Sequence, residues 1–210
     1  MTDIVNIMTD LDGAEPDAAL QVQAALAARI SARRKALKLS FDGLAARCGV
    51  SKGLLVQVEQ GKANPSIATL CRIAAGLNVS VAELVEVAQA PDAPIRILVE
   101  DEAKALWTGP AGGSARLLVG SDGPEMLEQW MWELHPGERF ESDVHPAGTQ
   151  ELVHVLQGEL AFEIDGKAHS IPTGASAHAR TDRTHAYACA GREPVRFVMT
   201  VWEPGAPSPR

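Results

Sequence analysis

Apolar residues follow two different rhythms along this chain. In residues 22–38, Val22, Leu26, Ile30 and Leu37 fall close to helical spacing, with bases on the opposite side. The next segment, LSFDGLAARCGV, offers Ser40 as an N-cap, Leu44 and Ala45 as a buried stripe, and Gly49 as a C-terminal stop. Ser51 caps a further helix, SKGLLVQVEQ, which Gly61 ends. Asn64-Pro65-Ser66 opens another that turns Ile67, Leu70, Ile73 and Leu77 inward, and Ser80 caps a last short helix in VSVAELV. After it the period becomes two. EQWMWEL sets Trp130, Trp132 and Leu134 against Met131 and Glu133, and VRFVMTVW sets Val195, Phe197, Met199 and Val201 on one face. ELAFEID alternates Leu160, Phe162 and Ile164 and turns at Asp165-Gly166, a two-residue hairpin signal. Many short strands with Gly and Pro between them predict an antiparallel sandwich or barrel.

The two rhythms divide the chain. Residues 1–20 read as an irregular acidic tail, 21–87 as an all-α domain, 88–114 as linker and leading strand, and 115–203 as an all-β domain. The linker centres on AQAPDAP, which has no period. Charge follows the same division. The formal net charge of −8 over 210 residues resolves into −5 for residues 1–20, +5 for 21–86 and −8 for 87–210. An acidic total that argues against nucleic acid therefore conceals a basic module suited to phosphates. All six histidines lie between His135 and His185, inside the β segment. No stretch approaches the roughly 20 apolar residues of a membrane-spanning helix. The first seventeen residues carry no Lys or Arg and so lack the basic start of a secretory signal. Three scattered cysteines suggest no disulfide framework, and the expected location is a reducing cytoplasm.

Two short helices joined by a Gly-containing turn, within a basic domain, suit the major groove of DNA. Residues 24–86 resemble the helix-turn-helix domain of Cro/C1-type (XRE) repressors, a lambda-repressor-like fold. The likeness rests on the Gly49-Val50-Ser51 turn, the Val58-Glu59-x-Gly61 ending and the Asn64-Pro65-Ser66 start. It implies a recognition helix over 51–60, with Lys52, Gly53, Leu54 and Gln57 at the base-reading positions. Gln57 suits adenine, Lys52 suits guanine or phosphate, and Leu54 suits a thymine methyl. Arg33, Arg34, Lys35, Lys62 and Arg72 are candidate phosphate contacts. Phe41 stands where the family often has a phosphate-binding Gln. Glu59 is expected to bond within the domain, and Cys48 and Cys71 to belong to the core.

Residues 136–160 and 172–188 resemble the two cupin motifs, through Gly137, His145, Glu151 and Gly158 in the first and Pro172, Gly174 and His185 in the second. The resemblance implies a jelly-roll barrel with His145, Glu151 and His185 as its ligand set and Asp143, in place of the first motif's usual leading His, as a fourth. Such a set holds Zn, Fe or Mn, or binds an organic effector directly. Arg139 and Arg180 pair either with an anionic effector or with surface acids. His154, three residues from Glu151 in a strand, points to the opposite face. His178 lines the pocket or packs, and His135 and His169 take surface or turn positions. Trp130, Trp132, Tyr187, Phe197 and Trp202 are expected to fill the barrel. Together these features predict a homodimeric transcriptional regulator, as a repressor, that binds a palindromic operator in double-stranded DNA and senses a small molecule. The alternative is a cupin metalloenzyme, a dioxygenase or isomerase, carrying an accessory DNA-binding domain.

Overall fold

A computed structural model describes residues 16–85, 95, 97–100, 103, 105–121 and 125–204, with side chains from residue 23 on, 68 excepted. Most of the expected tail and the AQAPDAP linker lie outside the described residues. Five helices lead: α1 (Pro16–Ala36), α2 (Phe41–Cys48), α3 (Lys52–Glu59), α4 (Ile67–Leu77) and α5 (Val81–Val85). The first extends back into the segment expected to be irregular. A proline at the first helical position loses no bond there, since that N–H has no partner within the helix.

The caps form where the polar residues invite them. Ser40 Oγ accepts from Gly43 N–H at 3.0 Å, Ser51 Oγ from Leu54 N–H at 3.1 Å, and Ser66 Oγ from Thr69 N–H at 3.2 Å. Ser80 and Glu83 close a capping box, Glu83 N–H donating to Ser80 Oγ at 3.0 Å and Ser80 N–H to Glu83 Oε2 at 2.9 Å. Gly49 takes φ +63° to end α2, a conformation that costs a residue with a Cβ. Ile30, Leu44, Leu55, Ile73 and Leu77 are buried between the helices.

The strands are β1 (Ala105–Thr108), β2 (Ser114–Gly120), β3 (Met126–Leu134), β4 (Arg139–Ser142), β5 (Gln150–Gln157), β6 (Glu159–Ile164), β7 (Lys167–Pro172), β8 (Ser176–Arg180), β9 (His185–Cys189) and β10 (Val195–Glu203). They form two antiparallel sheets, ordered β1-β2-β3-β10-β5-β8 and β4-β9-β6-β7. In the first, Trp132 pairs with Phe197 and Trp130 with Met199, so the two inward-facing runs meet in phase. Asp165 and Gly166, both at positive φ, turn β6 into β7 as their spacing predicts. Trp130, Trp132, Tyr187 and Phe197 fill the space between the sheets. Trp202 does not: residues 195, 197, 199 and 201 point inward, so 202 is out of phase and sits on the outer face, 37% exposed.

The helices and the barrel share one contiguous buried core. At the junction α5 lies on β2 and β3, with Ala82 N–H donating to the buried Glu128 Oε1 at 3.2 Å. A Cβ on Gly120 would stand 2.6 Å from that of Ala82, so this close approach requires a glycine.

Candidate functional site

Lys52, Gly53 and Gln57 are exposed along α3, and exposed Lys62 follows it. Lys52 Nζ reaches Asp42 Oδ2 at 2.8 Å, yet both side chains are more than half exposed, and such a pair yields readily to a phosphate. No atom lies within 4 Å of where a Gly53 side chain would start, so the backbone there is open to close approach. Leu54 is half-buried against the helical core and offers only part of itself outward.

Arg34 does not belong with the phosphate contacts. It is buried, and its Nε and Nη2 donate to Glu59 Oε1 and Oε2 at 2.5 and 2.9 Å. Its Nη1 donates to Leu39 O at 2.9 Å, and its guanidinium lies 4.0 Å from the Phe41 ring centroid. A fork with all its nitrogens engaged has none left for DNA. The same pair places Glu59 within the domain, as expected. Burial works to raise the Glu59 carboxyl, but Arg34 outweighs it and holds it below its ordinary range.

In the barrel, Glu151 on β5, His185 on β9 and His145 after β4 converge. Their ligand atoms all lie within 4.8 Å of one another. His145 Nε2 stands 3.4 Å and His185 Nε2 3.7 Å from Glu151 Oε1. Ligands each about 2.1 Å from one ion lie about 3–3.5 Å apart, so small adjustments close the set. Two buried atoms, Glu151 Oε1 and His185 Nε2, have no hydrogen-bond partner. Leaving such atoms unpaired is costly unless something binds them. His185 Nδ1 lies 2.8 Å from the Arg183 carbonyl, which fixes the proton there and leaves Nε2 a bare lone pair. The Tyr187 hydroxyl donates to Glu151 Oε2 and turns Oε1 toward the histidines.

Burial and neighbouring charges set the protonation of the three groups. Burial keeps the His185 imidazole below its usual pKa, thus neutral. Burial opposes charge on Glu151, but the adjacent His145 and the Tyr187 hydroxyl outweigh it and hold the carboxyl low. Burial likewise opposes charge on His145, whose pKa the adjacent Glu151 raises nonetheless. Two imidazoles and one carboxylate, with further positions open, fit a divalent transition metal.

Other expected residues lie elsewhere. Asp143 is outside the cluster, ion-paired at 3.3 Å with Arg72 of α4. Arg139 faces away from the barrel because its neighbour Phe140 takes the inward phase, and it pairs with Glu163 at 2.9 Å and Glu141 at 3.3 Å. His154 sits on the outer face, bonded to Ser176 Oγ at 2.8 Å, and His178 is exposed beside Gln150 Oε1 at 2.8 Å. His135 occupies a turn against Glu133, and His169 is exposed on β7.

Sequence reasoning overlooked four residues at this site. Glu128 and Glu203 are buried at inward phases of β3 and β10, and an acid in an apolar phase was their signal. Ile67 and Cys71 project from α4 to line the barrel cavity beside Glu151 and Tyr187, and no local pattern announces that.

A basic helix-turn-helix unit seated on a small jelly-roll with a buried two-histidine, one-carboxylate cluster defines a DNA-binding protein joined to a cupin barrel. The helix-turn-helix family model matches residues 30–84 and the cupin domain model residues 130–201. The chain is 28% identical over 165 residues to the HTH-type transcriptional regulator SutR of Escherichia coli (strain K12), covering 79% of this chain and 87% of that one. With the HTH-type transcriptional regulator PuuR of the same organism it shares 24% over 159 residues, 76% of this chain and 84% of that one. An HTH_3 family transcriptional regulator from Vibrio cholerae superimposes with a TM-score of 0.71 at 28% identity, covering 88% of this chain and 98% of that one. The chain thus joins a helix-turn-helix domain to a cupin domain and is similar, over most of its length, to HTH-type transcriptional regulators.

Proposed function

We propose that the protein is a homodimeric repressor that reads a palindromic operator with α3 and senses a small molecule through its cupin site rather than turning one over. Gln57 reads a base edge, Lys52 and Lys62 hold phosphates, and the exposed Gly53 admits the backbone close to the groove. His145, Glu151 and His185 would hold a divalent ion, whose open positions would polarise and orient a bound ligand. The outer face of the six-stranded sheet, with exposed Leu127, Leu152, Leu156 and Trp202, supports pairing with a second copy. A two-fold pair sets two recognition helices about 34 Å apart, one turn of DNA.

One observation carries the sensing role. The barrel cavity is walled partly by α4 of the DNA-binding domain, so whatever occupies it acts on that domain directly. Footprinting of the full chain on its own promoter region, with and without a chelator, is expected to give a palindromic site whose affinity changes on chelation. No protected site at moderate salt would overturn this reading. The open positions of the three-donor set favour a second reading, a cupin dioxygenase or isomerase. Oxygen uptake by the iron-loaded protein across a panel of small acids would establish it.

A further inference from the structure

The cavity inside the barrel holds only about 40 Å³, bounded by Trp130, Trp132, Phe140 and Tyr187. That is room for an ion or a few waters, not for an organic molecule. Space for one lies next door. A cleft of about 260 Å³ runs between the two domains and reaches the His145 ring, with Arg47, Cys48 and Arg72 on the helical side and Asp143 and Glu203 on the barrel side. Its size falls just short of the usual range of ligand sites, which begins at about 300 Å³, and so suits a small ligand.

Charge in the cleft is unequal. Arg47 is exposed, and among the described residues no carboxylate lies within 4.0 Å of it. Arg72 has Asp143 at 3.3 Å, and both side chains are about half exposed, so a better anion can take the acid's place. Glu203 is buried at the inner wall of the cleft. Two guanidiniums thus face one exposed, replaceable carboxylate, Asp143.

We propose that the effector of the sensing function binds in this cleft as a small oxyanion, its carboxylate, sulfonate or phosphate group held by Arg47 and Arg72 while its other end faces His145. The site is completed by the DNA-binding domain itself. Arg47 lies in the last turn of α2 and Arg72 on α4, and α2 packs against both α3 and α4. An occupant replaces the Arg72–Asp143 contact and resets how α4 rests on the barrel, which gives binding a route to DNA affinity. This inference rests on the sensing role proposed above.

Isothermal titration of the full chain with succinate, inorganic sulfate and inorganic phosphate, against chloride at equal ionic strength, tests it. At least one of the three is expected to bind, and which one distinguishes the carboxylate from the sulfate-like and phosphate-like sources. Arg47→Ala and Arg72→Ala should each weaken binding about ten- to hundredfold, the size of a charged hydrogen bond, with unchanged circular dichroism. Asp143→Asn, which removes the internal competitor, should tighten it. Absence of binding by all three anions would overturn the proposal, as would binding undiminished in the double arginine variant. Binding that behaves as expected yet leaves the footprint unchanged keeps the cleft and overturns the sensing role instead.

Discussion

Glu128 lies where β3 meets α5 and is 2% exposed. Its Oε1 accepts from Ala82 N–H and its Oε2 from Trp130 Nε1–H, each at 3.2 Å. Burial pushes this carboxyl from 4.5 up to about 7, against the pull of those donors and with help from the nearby Glu203 charge. The folded state therefore keeps a proton that the unfolded chain releases near pH 4.5. Stability from this group is full below that value, falls as pH rises, and levels off above about 7. A span of two and a half pH units, at about 1.36 kcal/mol each, makes the loss about 3 kcal/mol. Glu128→Gln keeps the shape and stays neutral throughout, at a cost of about 1 kcal/mol for the donor that then meets an amide NH₂. Above about pH 8 the variant should exceed the wild type by about 2 kcal/mol, and near pH 5 it should be slightly less stable. Urea unfolding of both proteins between about pH 5 and 8 measures this, since titrating groups not coupled to Glu128 cancel in the difference. Parallel stability curves for the two proteins would refute the assignment of the cost to Glu128.

Other expectations are more direct. Gln57→Ala should relax sequence preference by about 1–3 kcal/mol at one base pair while leaving random-DNA affinity alone; equal weakening of both in a competition assay would show that Gln57 reads no base. Arg34→Ala should cost about 3 kcal/mol in urea unfolding, since it leaves the nearly buried Glu59 carboxylate without its guanidinium partner. Glu151→Gln should remove bound metal and the thermal stabilisation it confers, read by elemental analysis and melting, whereas retention of stoichiometric metal would exclude the cluster. Gly158→Ala should lower stability by about 2 kcal/mol or more, because φ is +76° there and the new Cβ would stand 2.6 Å from the Pro194 carbonyl.

Local chemistry told much of the fold in advance. Ser40, Ser51, Ser66 and Ser80 cap the helices because a hydroxyl beside free N–H groups needs no distant partner. Alternation along β3 and β10 foretold Trp130, Trp132 and Phe197 inside, and its strict phase foretold Glu128 too, had the acid been taken at its position. Trp202 shows the opposite error, an aromatic assigned inward by type when its phase says outward.

His145, Glu151 and His185 were expected together from the resemblance to the cupin motifs, and they converge in the barrel. Arg34 and Arg139 were misjudged because a positive charge in sequence looks alike whether its partner is a phosphate or a carboxylate folded against it. The partner's identity is a long-range fact: Glu59 lies 25 residues from Arg34, and Glu163 lies 24 from Arg139. By itself the sequence determined the two modules, their caps and their inward faces, all of which depend on neighbours in the chain or on strand phase. Only the tertiary structure decided that α4 walls the barrel, that Arg72 meets Asp143, and that a cleft opens between the domains. Those depend on how two finished surfaces pack together, and packing selects among shapes that no local pattern encodes.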